Sequence, residues 1–247
     1  MPVKSKTPLT EWDKFALETI SNCELTLKTE RPWGDHAEMP GVTQVEAKLT
    51  GDESTLSEDL FGMNPESRLR VFPGLTEEKF QDICKGASHF PDLVVATLTG
   101  VIFNHQRHRI LPMMYDDFMA ETSQMIPHLF TDSGTATKTH RDCVLGGRMS
   151  KRNLYVLTID IHEGFRGHRL GIQLVEAVAE QLLTPGQDIL SMLVASPTDD
   201  HDRLARYFAN GSAVIHGHIL QTSTLDPDNI VSGFGEYPAV IAAYGVR

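Results

Sequence analysis

The clearest pattern of apolar and polar positions lies in the second half of the chain. From Asn153 to His162, Tyr155, Leu157, Ile159 and Ile161 fall on one side, and Leu154, Val156, Thr158 and Asp160 on the other. Both sides are mostly apolar, which predicts a central strand. Within 169–183, Leu170, Leu174, Val175, Val178 and Leu182 recur at helical spacing and form one apolar stripe; Pro185-Gly186 ends that helix. Ile189–Ala195 reads as a second buried strand. Asp199–Ala209 reads as a short helix that opens on aspartates, where the helix dipole favours them. Ala213–Leu220 and Ala239–Tyr244 read as closing strands, and Asp142–Met149 as a strand joined to the central one by the basic turn Lys151-Arg152. This order predicts a mixed α/β (α+β) sheet with helices on its faces.

The first half is less regular. Trp12, Phe15, Ala16 and Ile20 stand at helical spacing behind Thr10, a suitable N-cap. Glu24–Lys28 alternates as a strand does, Val42–Leu49 does so less cleanly, and Arg31–Gly41, with two prolines and two glycines, reads as a loop. Leu75–Gly86 reads as a helix capped at Thr76. Leu93–Phe103 is rich in β-branched residues and reads as a buried strand. Met113–Leu129 reads as a helix with a Met-rich core face and Thr131–His140 as a polar loop.

Composition narrows the partners. The chain has 247 residues, 40% of them hydrophobic, and carries 22 Lys+Arg against 33 Asp+Glu, a net charge of −11. No Lys/Arg run exceeds two residues, so nucleic acid is not an expected partner. The acidic balance gently favours a cationic small molecule. Cys23, Cys84 and Cys143 are odd in number and far apart, which fits a reducing compartment, so a cytoplasmic location is expected. Met1–Phe15 lacks an apolar signal core and Leu93–Phe103 is too short to span a bilayer, so no membrane partner is expected.

The segment that carries chemistry is Ile159-Asp160-Ile161-His162-Glu163-Gly164-Phe165-Arg166-Gly167-His168-Arg169-Leu170-Gly171-Ile172. A buried strand runs into a loop with glycines and two arginines, and the loop opens an amphipathic helix. Unpaired N–H groups at a helix start, glycines that admit close approach, and fixed guanidinium charge together make a pyrophosphate cradle.

Arg166-Gly167-His168-Arg169-Leu170-Gly171 resembles the Arg/Gln-x-x-Gly-x-Gly/Ala signature of the GNAT superfamily of acyl-CoA-dependent N-acetyltransferases, with Arg169 in place of the middle glycine. Arg206-Tyr207-Phe208-Ala209-Asn210-Gly211 resembles a second stretch of that family, with Ser212 where Phe is usual and Asp200 where an Asn often stands. The resemblance covers roughly 142–220. It implies a mostly antiparallel sheet with helices on both faces and a central strand that splays away before the coenzyme-binding helix. It also implies acetyl-CoA as co-substrate, with no metal. Ile159, Asp160 and Ile161 would pair with the pantetheine amides. The loop from Arg166 through Gly167, His168, Arg169, Leu170 and Gly171 to Ile172 would hold the pyrophosphate. Tyr207 would protonate the departing thiolate. Tyr155 occupies the position at which many members carry the base, and a tyrosine there would hold a water relay; Asp160, His162 and Glu163 are rivals.

Residues 1–90 read as an N-terminal part on the acceptor side and 91–247 as the acetyltransferase core, or the whole as one continuous domain. The expected reaction is direct transfer of an acetyl group to a primary amine of a small, cationic metabolite. A protein or peptide amine, and a degenerate member that binds acyl-CoA without turnover, are the alternatives; the oligomeric state is open, a homodimer included. The spacings His105-x-x-His108 and His216-x-His218 have no convincing third ligand and read as ordinary histidines, and Cys143 as structural.

Overall fold

A computed structural model of the chain describes residues 10–31, 39–51, 60–86, 92–106, 115, 125–195, 215–223 and 239–246, with 193–195, 215–223 and 239–243 described through the backbone. The elements are α1 (Glu11–Ser21), β1 (Glu24–Glu30), β2 (Val42–Thr50), α2 (Pro65–Val71), α3 (Glu77–Cys84), β3 (Val94–Asn104), α4 (Ile126–Leu129), α5 (Lys138–Asp142), β4 (Arg152–Ile161), α6 (Leu170–Leu182), β5 (Ile189–Ala195), β6 (Ile215–Ser223) and β7 (Ala239–Val246).

Helices begin where a short polar side chain takes up a backbone donor that the helix leaves without a partner. Thr10 accepts from Asp13 N at 3.1 Å and Asp13 accepts from Thr10 N at 2.9 Å, a capping box that opens α1. Asn64 caps α2 through Ser67 N at 2.9 Å, with Pro65 at the first helical position, and Thr76 caps α3 through Lys79 N at 3.3 Å. Thr137 does the same for α5 through His140 N at 3.2 Å.

The strands form a seven-stranded mixed sheet in the order β1-β2-β3-β4-β5-β7-β6. β7 pairs antiparallel with both β5 and β6, while β4 and β5 run parallel. β3 and β4 are joined at both ends, by His105 N to Lys151 O at 2.9 Å and His162 N to Val95 O at 3.0 Å, which makes them antiparallel. A Cβ on Gly100 would lie 2.8 Å from Tyr155 O, so only a glycine allows this approach of the two backbones.

The chain divides into two compact units. Met1–Thr26, Lys48–Thr97 and Asp160–Gly171 make the first; Leu27–Ala47, Leu98–Ile159 and Ile172–Arg247 make the second. The first is built on an apolar cluster that includes Phe15, Phe72, Phe80, Phe165 and Leu170. The second is built on Val101, Phe103, Tyr115, Phe130 and Tyr155, with the rings of Phe103 and Tyr115 stacked at 4.1 Å. Each large side chain buried this way contributes about 1.5–3 kcal/mol.

Two readings of the sequence are corrected. No strand covers 142–149: α5 ends at Asp142 and the chain then turns, with Gly146 and Gly147 at φ 78° and 63°, a conformation no strand tolerates. The polar stretch 131–140 is not loop throughout, since Thr137 starts a helix there. Of the helix read at 113–129, α4 (Ile126–Leu129) is described, and Tyr115 is buried; 113–114 and 116–124 lie outside the described residues. So do the helix read at 199–209 and Tyr207.

Candidate functional site

The parallel register of β4 and β5 runs from Asn153↔Ile189 to Val156↔Met192 and stops there. Yet β4 continues to Ile161, and β5 continues to Ala195 in register with β7. From Leu157 onward the two strands therefore diverge, among the described residues, and β4 presents backbone N–H and C=O groups on that side. Such an edge is a template for any extended chain of amides. Burial changes at the same point: Asn153 to Val156 are buried, Leu157, Ile159 and Ile161 are half-buried, and Thr158 and Asp160 are exposed. The strand is central, as expected, but two-sided burial holds only for its first half.

The loop after β4 is anchored on one flank and open on the other. Phe165 is fully buried, with the rings of Trp12 and Phe15 centred 6.2 and 6.3 Å away. The indole N–H of Trp12 donates to Gly164 O at 3.1 Å. A Cβ on Gly164 would meet Arg70 O at 3.0 Å and the Trp12 ring at 3.2 Å, so a larger residue here would have to push these neighbours back. Gly164 N donates to His162 Nδ1 at 3.2 Å and opens a 3₁₀ turn over Glu163–Phe165. Burial holds the His162 pKa below its ordinary value, against an opposing hydrogen bond with the Val71 backbone. His162 is thus a neutral ring held through both contacts rather than a free base.

Between the buried Phe165 and Leu170 lies the open part. Arg166, Gly167 and Arg169 are exposed and His168 is half-buried. Arg166 Nε donates to Ile161 O at 3.3 Å, which folds its guanidinium back over the end of β4. His168 Nε2 is 3.9 Å from Asp13 Oδ1; the hydrogen bonds from Thr10 hold the Asp13 carboxyl below its usual pKa, with His168 adding to them. Gly167 has φ 91° and Arg169 has φ 62°. Arg169 is the one described non-glycine residue in the left-handed region. It stands where the GNAT signature has its middle glycine and adopts a conformation that glycine takes freely, at a cost of about 1–2 kcal/mol. Leu170 and Ile172, each 1% exposed, anchor the start of α6, and the first turn of α6 carries no acidic residue to compete with an anion.

The structure brings Arg166, Gly167, His168 and Arg169 into one open turn, closed by the buried Leu170, that follows Ile159, Asp160 and Ile161 after the short 3₁₀ turn at Glu163–Phe165. Gly171 is half-buried in the first turn of α6. Tyr155 is elsewhere: it is 1% exposed inside the apolar cluster of the second unit. Tyr207 and the 206–211 motif lie outside the described residues. The sequence placed Gly164 in this loop but gave no sign that Trp12 and Arg70 pack against it. Among the described residues no group of three or more His, Cys, Asp and Glu side chains is arranged to hold a metal, and no helix is long and apolar enough to cross a membrane.

No protein-family model matches the chain, and no curated protein is significantly similar to it. Solved structures of Arabidopsis thaliana NAA60 are similar. The complex of NAA60 with a bisubstrate analogue is 10% identical, with 86% of this chain and 78% of that one covered and a TM-score of 0.34. The complex with acetyl-CoA is also 10% identical, with 90% and 98% covered and a TM-score of 0.37. The functional reading rests on the geometry of β4, its loop and α6 and not on that likeness. A mixed sheet whose central strand leaves its parallel neighbour ahead of a turn bearing glycine and arginines fits the splayed central strand that the GNAT resemblance implies.

Proposed function

We propose that the chain is a GNAT-type acyltransferase that moves an acetyl group from acetyl-CoA to a primary amine. One observation carries this: β4 leaves β5 after Val156 and runs into a turn with left-handed residues at 167 and 169 before α6. The diverging strand suits the amides of pantetheine, and the turn suits a pyrophosphate. Arg169 in place of a glycine favours a degenerate, non-catalytic member only if it spoils the turn, and its φ of 62° keeps it.

In this reading the neutral amine attacks the thioester carbonyl carbon. Backbone N–H groups of the open part of β4 take up the charge that develops on the carbonyl oxygen. The C–S bond breaks, the amine loses its proton to water or to a nearby carboxylate, and the thiolate is protonated. Tyr207 is proposed for that last step by resemblance, and Tyr155, which is buried, is given no part in it. The acceptor is proposed to be a small primary amine.

Calorimetric titration with acetyl-CoA, followed by thiol-release assays over an amine panel, tests the proposal. The expected result is saturable one-to-one binding with release for at least one amine class. Absence of saturable binding overturns it. Binding without release across the panel, protein N-termini included, replaces it with an acyl-CoA sensor.

A further inference from the structure

The first unit holds an open pocket of about 740 Å³, bounded by Leu69, Arg70 and Pro73 on one side and by His162, Glu163 and Arg166 on the other. Its charge runs against that of the molecule: two guanidiniums face one carboxylate, in a chain of net charge −11. His162 adds no charge near neutrality, because burial keeps its pKa low.

Both guanidiniums are oriented. That of Arg70 sits 4.3 Å from the Trp12 ring centroid, and Trp12 is itself fixed by its bond to Gly164 O at 3.1 Å. Stacking occupies the flat face of a guanidinium and leaves its in-plane fork for oxygen ligands. Arg166 is turned by its 3.3 Å bond to Ile161 O. Asp13, whose Oδ2 accepts from Thr10 at 2.6 and 2.9 Å, is a second carboxylate that feels the charge of Arg70, from outside the pocket lining.

We propose that this pocket is an oxyanion subsite that takes a phosphate or carboxylate group. Arg70 is its chief ligand, Arg166 the second, and Leu69 and Pro73 form the wall for the rest of the ligand. The proposal rests on the transferase reading and extends it. The anion has two sources: a phosphate of the coenzyme other than the pyrophosphate, or an anionic group beside the acceptor amine.

Titration with inorganic phosphate, read by Trp12 fluorescence in a Trp33→Phe background, tests the subsite directly. A saturable response is expected, weakened about tenfold in Arg70→Gln, as loss of a charge-assisted fork implies, and partly restored in Arg70→Lys. Two further arms identify the source. An affinity about tenfold lower for 3′-dephospho-acetyl-CoA than for acetyl-CoA assigns the coenzyme. A preference of about tenfold in kcat/KM for amines that carry a carboxylate or phosphate, over the same amines without it, assigns the acceptor. A phosphate response with neither preference marks an adventitious ion only and overturns the subsite. So does the lack of a saturable response, or an Arg70→Gln variant that behaves as the wild type. Acetyl-CoA binding and thiol release with an uncharged amine, measured in parallel, report on the transferase reading alone; a protein that transfers acetyl but ignores phosphate defeats only the subsite.

Discussion

Asn153 to Val156 are buried and paired in register with β5, whereas Leu157 to Ile161, on the same strand, are exposed or half-buried and have no β5 partner among the described residues. The two stretches differ in how their polar atoms are used. In the first, a single directed chain of hydrogen bonds runs through the interior. Ser191 Oγ donates to Asn153 Oδ1 at 2.9 Å, and Asn153 Nδ2 donates to Tyr115 OH at 2.8 Å. His105 Nδ1 faces the carbonyl of Ser150 at 3.1 Å and must donate, so its Nε2 accepts from Tyr115 OH at 2.8 Å. His140 Nδ1 likewise donates to Leu129 O at 3.0 Å, so its Nε2 accepts from Ser150 N at 3.1 Å and Ser150 Oγ at 2.9 Å. Every direction in this chain is compatible with the next, and both imidazoles are neutral. Satisfied and buried, these groups have nothing left to offer a ligand. The far end of β4 has no β5 partner for its backbone groups among the described residues, and the candidate chemistry lies there.

The largest effect is expected from removing the middle of the buried hydrogen-bond chain. Asn153→Leu leaves the Ser191 hydroxyl without its acceptor and Tyr115 without a donor. Both are fully buried, so a loss of about 2–4 kcal/mol is expected. For a protein of this size that lowers Tm by roughly 5–15 °C. Thr158→Val, in the exposed half, removes a 2.7 Å hydroxyl pair with Thr99 and is expected to cost no more than about 0.5 kcal/mol. Urea unfolding of the two variants measures both; equal losses would show that the two halves do not differ as described.

A second effect is read in pH. Burial lowers the pKa of His140 to about 4 and that of His105 to about 3, with the neighbouring His140 adding to the latter. In the unfolded chain both titrate near 6.5. Below that value the unfolded state binds more protons than the native one, so stability rises with pH. The stabilisation is complete above about 6.5 and is lost as pH falls toward 4 and 3, at up to about 1.4 kcal/mol per pH unit for each ring. The urea midpoint between pH 7.5 and 5 is expected to fall, and a His105→Gln/His140→Gln double variant, less stable at pH 7.5, should show a flatter slope. An unchanged slope in that variant would mean that neither ring is held neutral.

The two halves were also unequally legible in the sequence. Alternation over 153–162 gave the strand, since period 2 needs no tertiary information, and the glycines and arginines after it gave the turn. The point at which β4 leaves β5 was not legible, because nothing in Val156-Leu157 marks where pairing stops; the resemblance implied only that the strand splays. That Tyr155 is buried was not legible either, since two apolar faces look alike until the partners that cover them are known. Residues 142–149 failed on chemistry that was on view: Gly146-Gly147 inside an apparent alternation is a turn signal. Asn64-Pro65-Glu66, an N-cap followed by proline and an acid, marked α2, and with it Arg70.

The smallest expected effect separates shape from charge in the open half. Arg169 at φ 62° combines a left-handed backbone with a guanidinium, and two substitutions part these. Arg169→Gly keeps the conformation at no steric cost and removes the charge. An exposed charge beside an anion is worth about 0.3–1 kcal/mol, so acetyl-CoA binding should weaken about two- to fivefold, and less so at high salt. Arg169→Val also removes the charge, but a β-branched side chain is poorly tolerated at positive φ, so the turn must shift. That variant should bind at least several-fold more weakly than Arg169→Gly at the same salt. If the two glycine- and valine-bearing proteins bind alike, the grip on the coenzyme does not depend on the backbone shape at 169, and the argument that this residue stands in for the missing glycine fails.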